Sequence, residues 1–278
     1  MSILVLDGAN LLHRARSGFQ LGDFATVYNF FRQLRPLVDQ FKPTRVYMTL
    51  EGAPKRQLAL LPEYKAHRII DVTTDEGAKK QASLVDFRRQ SALIVELVSA
   101  HFPISVIRHP DFEGDDVIMS IVNRSSSSAE FIIVSTDSDF TQMLQNGVGN
   151  VRLYNPVTKK FVEAPVDYSY VLWKALRGDG CDNIPALVTE AKALELVHDP
   201  ESLEGMRLMP AFAEQFERNY KLIALCTLTD AEAMQTQSSA PTRDWDAVKA
   251  KFDEWAFKSL TKDGTWDKFV ATFEPLWG

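Results

Sequence analysis

The sequence predicts an α/β fold, a parallel sheet interleaved with helices over residues 1–165, followed by a helical C-terminal region over 166–278. Three observations carry this. Short β-branched runs alternate with longer stretches of helical periodicity as far as residue 155. Four of the five such runs are followed within a few residues by acidic groups. Beyond residue 165 the β-like runs stop, and breaks near 178–180, 200–205, 235–241 and 264 separate helical patterns.

In chain order, strands are expected at 3–6, 45–50, 104–107, 131–134 and 151–154. Between the first two, Phe24, Val27, Phe31, Leu34, Val38 and Phe41 recur at steps of three and four, which reads as an amphipathic helix with Asp23 as its cap. A second long helix is expected over 77–101, burying Leu84, Phe87, Ile94, Leu97 and Val98. The serine run at 125–128 reads as a surface loop ahead of the fourth strand. No internal repeat or long low-complexity tract is present.

At 278 residues and 45% hydrophobic content the chain can bury a substantial core. No 18-residue apolar run occurs and no basic leader precedes Ile3-Leu4-Val5-Leu6, so neither a membrane span nor a signal peptide is expected and the expected location is cytoplasmic. Two cysteines, Cys181 and Cys226, are too few for a disulfide framework and are expected as free thiols. The net charge of −6 weighs mildly against nucleic acid as a partner. Its distribution weighs the other way. Lys55, Arg56, Lys65, Arg68, Lys79, Lys80, Arg88 and Arg89 stand against only five acidic residues between 55 and 89, a locally basic arm able to hold an anionic polymer over an acidic body. A solvated helical surface is the alternative for the same charges.

Strand 3–6 delivers Asp7, strand 45–50 delivers Glu51, strand 104–107 leads to Glu113, Asp115 and Asp116, and strand 131–134 leads to Asp137 and Asp139. In a parallel sheet these strand ends share one edge, where such folds place ligands. Two like charges about 4 Å apart repel by about 4 kcal/mol at an effective dielectric near 20. Hard divalent cations remove that repulsion, and an oxygen-only set favours Mg²⁺, with Mn²⁺ as a substitute, over Zn²⁺. Two such ions suit phosphodiester hydrolysis. Taken singly, each acidic stretch is also a plain turn or helix start. The later loop Gly178-Asp179-Gly180-Cys181-Asp182-Asn183-Ile184-Pro185 adds two carboxylates and fails as a calcium loop, because Cys181 and Ile184 occupy ligand and glycine positions.

In order along the chain, these segments resemble the 5′-nuclease family of flap endonucleases and 5′→3′ exonucleases with a PIN-like domain, and in particular its T-even phage ribonuclease H branch. Val5-Leu6-Asp7-Gly8-Ala9-Asn10 is similar to the first metal-binding strand end and Glu51-Gly52 to the second, with Glu in place of the usual Asp. Pro62-Glu63-Tyr64-Lys65-Ala66-His67-Arg68 resembles the Tyr-Lys-x-x-Arg segment below the helical arch. Glu113-Gly114-Asp115-Asp116 resembles the Glu-Ala-Asp-Asp helix start, with Gly for Ala. Thr136-Asp137-Ser138-Asp139-Phe140 resembles the paired-Asp motif, and 178–185 the last metal loop. Ala186-Leu187-Val188-Thr189-Glu190-Ala191 lacks the Gly-x-Gly hairpin of most relatives, which removes the usual backbone contact to duplex phosphates. Past residue 205 the likeness is faint.

The resemblance implies a PIN-like nuclease domain at 1–165 with an arch at about 52–90, and a helical region at 166–278 containing a helix–three-turn–helix-like segment at 170–198. It implies cleavage directed by free 5′ ends on RNA–DNA hybrids, duplexes or flaps. Asp7, Glu51, Glu113, Asp115, Asp116 and Asp137 are expected around a first ion, and Asp139, Asp179 and Asp182 around a second. Lys65 and Arg68 are expected to stabilise charge on the scissile phosphate, and Tyr64 to stack on a base or pack in the core. Lys55, Arg56, Lys79, Lys80, Arg88 and Arg89 are the expected nucleic-acid contacts. A single-strand-binding protein or sliding clamp is the expected protein partner of a monomer, with Trp245, Trp255, Trp266 and Trp277 as either its anchor or internal packing. A PIN-type endoribonuclease and a non-catalytic module binding branched DNA are the rival readings. Walker A and Gly-x-Gly-x-x-Gly motifs are missing, and Asp7-Gly8-Ala9 lacks the second Asp of a haloacid-type phosphatase.

Overall fold

The apolar strand runs of the sequence lie side by side in the computed structural model, which describes residues 1–19, 22–68, 70–125, 128–147 and 150–276. Strands β1 (Ser2–Asp7), β2 (Arg45–Leu50), β3 (Ser105–Arg108), β4 (Glu130–Val134) and β5 (Asn150–Asn155) are mutually parallel. Two short antiparallel strands, β6 (Lys160–Val162) and β7 (Gln237–Ser238), close the edges, giving the order β6-β5-β4-β1-β2-β3-β7. The edge strands correct the expectation that strand structure ends with the fifth run. The polar stretch at 235–241 separates helices as expected but contains a two-residue strand, because Gln237 and Ser238 find an open edge at β3. The chain leaves β1 towards β2 and later returns to its other side at β4, so a topological switch lies between the carboxyl ends of β1 and β4.

The helices are α1 (Gly8–Arg16), α2 (Ala25–Phe41), α3 (Lys55–Leu60), α4 (Asp75–His101), α5 (Gly114–Arg124), α6 (Thr141–Gln145), α7 (Tyr170–Arg177), α8 (Glu190–His198), α9 (Pro200–Arg207), α10 (Pro210–Ile223), α11 (Asp230–Ala233), α12 (Trp245–Glu254), α13 (Lys258–Thr261) and α14 (Thr265–Phe273). Asp23 does not cap α2. Phe24 occupies the cap position without a side-chain bond, and the Asp23 carbonyl instead accepts from Arg89 on α4. Thr74 caps α4 through the Gly77 N–H. Of its five expected buried residues, Phe87, Ile94, Leu97 and Val98 are buried and Leu84 packs half-buried beside them. Among the described residues no helix is long and apolar enough to cross a membrane. Both cysteines are free.

Three cores result. On one sheet face, α2 and α4 pack with α12, α13 and α14 in a cluster that includes Phe31, Phe102, Phe252 and Phe269. On the other face, α5 and α6 cover Val5, Phe131 and Ile133. A third core holds α7 through α10 together with Leu61 and Tyr64. The region expected as one helical unit at 166–278 is therefore divided, with 170–224 forming its own core and 245–276 completing that of the sheet. Trp245, Trp255 and Trp266 belong to that packing rather than to an exposed anchor. Trp277 and residues 126 and 127 of the serine run lie outside the described residues.

Candidate active site

Each strand end reaches the switch because the chain turns tightly there. A Cβ on Gly8 would sit 2.3 Å from the Thr49 carbonyl oxygen, and one on Gly52 would sit 2.0 Å from that of His109. The turns after β1 and β2 thus run directly against neighbouring backbone, which only glycine permits. They leave Asp7 and Glu51 at the rim of one hollow of about 590 Å³. Glu113, Asp115, Asp137, Asp139, Asp179 and Asp182 line the same hollow, with Asn10, His13, Thr136, Lys65, Arg68, Lys174 and Arg177 among them.

Local chemistry fixes most of these carboxylates. Asp7 caps α1 by accepting from the Asn10 N–H at 3.0 Å, and Ser135 Oγ donates to its other oxygen at 2.6 Å. Glu51 accepts from the Gly114 N–H at 3.0 Å, so its longer side chain caps α5 from a different strand, where the helix dipole favours an anion. Asp137 accepts from the Asp139 N–H at 2.9 Å. Tyr64 Oη lies 2.9 Å from both Glu113 Oε2 and Asp182 Oδ2. Lys65 lies 2.5 Å from Glu113 and 3.7 Å from Asp182, and Arg68 lies 2.7 Å from Asp182. Lys65 has a φ of 56° and its N–H donates to the Asp182 carbonyl at 3.0 Å, a left-handed turn imposed on a non-glycine residue at the pocket floor. Lys174 bridges Asp139 and Asp179, at 2.6 Å from the latter.

Burial pushes the Asp7 carboxyl above its ordinary range, against the bonds from Ser135 and Asn10. Burial does the same at Asp115, reinforced by Asp116, Glu113, Glu51 and Asp137. Asp139 is raised by burial in spite of Lys174. Glu51 is raised by burial to about 7, with Glu113 and Asp7 adding to it and the Gly114 N–H opposing it. Asp179 is lowered, because Lys174 outweighs its burial. A crowd of oxygen donors that resist ionisation fits a hard divalent ion. Among the described residues no three acidic, histidine or cysteine side chains are arranged to hold an ion as they stand. Lys65, Lys174, Arg68 and the Tyr64 hydroxyl are interposed instead.

The raised Glu51 carboxyl gives a pH prediction. Its folded pKa of about 7 exceeds the ordinary 4.5, so the stability it contributes is complete below 4.5 and is lost as pH rises through 7. The metal-free protein is expected to melt at a lower temperature at about pH 8 than at about pH 6, and saturating Mg²⁺ is expected to abolish that difference. Scanning calorimetry at both pH values, with and without Mg²⁺, checks it.

Asp116, expected around the first ion, is not among the residues that line the hollow. It is 0% exposed and turned away from the hollow, accepting from Arg56 at 3.3 Å, Gln57 at 3.3 Å and the Cys226 N–H at 2.9 Å. The Arg56 guanidinium also donates to the Lys221 and Ala224 carbonyls and so ties α3 to α5 and α10. The Tyr64 ring is buried in the third core with its hydroxyl on two acids, which corrects base stacking. Lys55 pairs with Asp111, Lys80 with Glu76 and Arg89 with Asp86, all away from the hollow. Lys79 and Arg88 are exposed on α4. Sequence reasoning missed Ser135, His13 and, above all, Lys174, whose signal is a lysine within the apolar run Tyr170-Val171-Leu172-Trp173-Lys174-Ala175-Leu176.

A parallel sheet with an acid-lined hollow at its switch, flanked by a helix–loop–helix, defines the class as the PIN-like 5′-nuclease fold. Residues 2–171 match the sequence profile described as 5′-3′ exonuclease, N-terminal resolvase-like domain, and the chain belongs to that family. It is 27% identical over 234 residues to a 5′-3′ exonuclease of Bacillus subtilis, covering 75% of each chain. It is 25% identical over 293 residues to a 5′-3′ exonuclease of Aquifex aeolicus, covering 94% of each. Against DNA polymerase I of Mycobacterium tuberculosis, 99% of this chain aligns at 26% identity but spans only 32% of the polymerase. The solved structure of the T5 5′-exonuclease with zinc ions bound superposes with a TM-score of 0.66 at 20% identity, over 99% of both chains.

Proposed function

We propose that this protein is a Mg²⁺-dependent 5′ nuclease that removes RNA primers or 5′ flaps during DNA replication. The observation that carries the reading is the convergence of eight carboxylates from five separate segments on one hollow at the sheet's topological switch. Asp7, Glu51, Glu113, Asp115 and Asp137 are assigned to a first divalent ion, and Asp139, Asp179 and Asp182 to a second. When bound, the pair supplies a more acidic water and neutralises charge at the scissile phosphate. Lys65 and Arg68, held over Glu113 and Asp182, bring positive charge to the phosphate. Tyr64 positions Glu113 and Asp182 against each other through one hydroxyl. Lys79 and Arg88 on exposed α4 are assigned to the nucleic-acid backbone, with Lys80 and Arg89 exchanging their local partners for phosphates.

The domain reading follows the same line: the nuclease domain at 1–165, its core completed by 245–276, with α3 and the exposed first half of α4 as its arch, and α7 to α8 as the helix–three-turn–helix-like segment. An internally labelled RNA–DNA hybrid whose RNA strand is linear or circularised, and a linear 5′-flap DNA, test the reading. Cleavage in Mg²⁺ that requires a free 5′ end, and that falls at least about 100-fold in Asp137→Ala, is the expected result. Equal cleavage of circles, or an unchanged rate in Asp137→Ala, overturns it.

A further inference from the structure

Lys174 is 3% exposed, and long charged side chains are almost never buried to that degree without a partner of opposite charge. It has two. Its ammonium donates to Asp139 Oδ1 and lies 2.6 Å from Asp179 Oδ2, bridging the paired-Asp turn after β4 to the loop after α7. The Tyr170 hydroxyl, one helical turn earlier, donates to the same Asp139 oxygen at 3.1 Å, so that oxygen is fully engaged. The oxygens that meet Lys174 are those assigned above to a second divalent ion, and an oxygen lone pair serves one cation at a time.

We propose that the Lys174 ammonium is a built-in counter-ion that occupies the Asp139–Asp179 pair in the metal-free protein, so that a second divalent ion binds only by displacing it. This rests on the metal reading of the hollow. The ammonium neutralises one of the two charges, keeps the pair together before any ion arrives, and makes the second ion weaker than the first, because its binding must include release of a buried ion pair. At the first site the only ammonium, that of Lys65, sits on Glu113 alone and leaves Asp7, Glu51, Asp115 and Asp137 unbridged, so the first ion has four further carboxylates to bind without displacing an ammonium that joins two of its ligands. Lys174 is thus a positioning residue that sets how many ions the centre holds at a given concentration.

The test counts Mn²⁺ bound to the full metal-free chain from the electron paramagnetic resonance signal of the free ion. The parent, Lys174→Met and Lys174→Arg are titrated side by side. The parent is expected to bind one ion tightly and a second at least about 10-fold more weakly. Lys174→Met is expected to tighten the second by about 10-fold with the first unchanged, and Lys174→Arg, which keeps the charge, to resemble the parent. Second-ion affinity that is unchanged or weaker in Lys174→Met overturns the proposal. Should Lys174→Met be unfolded without metal, circular dichroism decides: recovery of the helical spectrum on adding Mn²⁺ supports it, and failure to fold in saturating Mn²⁺ overturns it, since the ion would then not replace the ammonium. A parent that binds no Mn²⁺ at all overturns the metal reading itself, a result distinct from an unchanged second affinity.

Discussion

Asp115→Asn is expected to lower Mg²⁺-dependent cleavage by about 1,000-fold or more, and at the same time to raise the melting temperature of the metal-free protein at about pH 8. The two signs have one cause. Asp115 lies half-buried in the first turn of α5 beside Asp116, Glu113, Glu51 and Asp137, and loss of solvent around its carboxyl, followed by those neighbours, pushes it well up. A carboxyl raised in the folded state favours folding while protonated and opposes it once pH passes through its folded pKa. Asparagine keeps the shape and can still accept from the Asp116 N–H, which Asp115 accepts at 2.7 Å. It removes the charge that the fold resists and that an ion requires. A residue kept for structure alone would lose stability and activity together. Single-turnover cleavage and thermal denaturation without metal check both signs. A parent-like rate, or a lower metal-free melting temperature, removes Asp115 from the centre.

Where the sequence was legible, one local rule sufficed. The 3–6, 45–50 and 131–134 runs are β-branched, short and punctuated, and a parallel sheet forces their ends to one edge, so Asp7, Glu51 and Asp137 were readable as neighbours. Asp116 was not separable from Asp115 by adjacency, yet consecutive helical residues point about 100° apart, and that rotation sends Asp116 to Arg56 and Gln57 instead. Arg56 itself counted as one more cation in a basic stretch, because the carbonyls of Lys221 and Ala224 that hold it are distant in sequence. The two-residue strand β7 has no pattern of its own and exists only because the β3 edge is open. Periodicity in α12 and α14 announced a buried face without naming its partner, so the C-terminal helices could not be assigned to the sheet's own core.

Phe31→Ala is expected to destabilise the protein by about 3–5 kcal/mol, because that core is a single cluster of rings rather than two abutting domains. Phe31 on α2 is wholly buried, with ring centroids 5.4 Å from Phe102, 4.9 Å from Phe252 and 6.5 Å from Phe269. It therefore joins the chain before β3 to helices α12 and α14, more than two hundred residues further on. Alanine leaves a cavity lined by stiff rings that cannot collapse into it, which places the cost at the upper end for such substitutions. The melting temperature is expected to fall by roughly 10 °C. Trp245, Trp255 and Trp266 sit in the same cluster, so their emission should shift to the red as the C-terminal helices loosen, and limited proteolysis should cut first near 240–265. A fall of less than about 2 °C with unchanged emission would mean that the two segments fold independently. The prediction also bears on the boundary of the nuclease domain. The family match ends at residue 171, but residues 245–276 pack on α2 and α4 and complete the core on one face of the sheet, so a chain cut after the matched segment would expose Phe31, Phe102 and their neighbours and is expected not to fold.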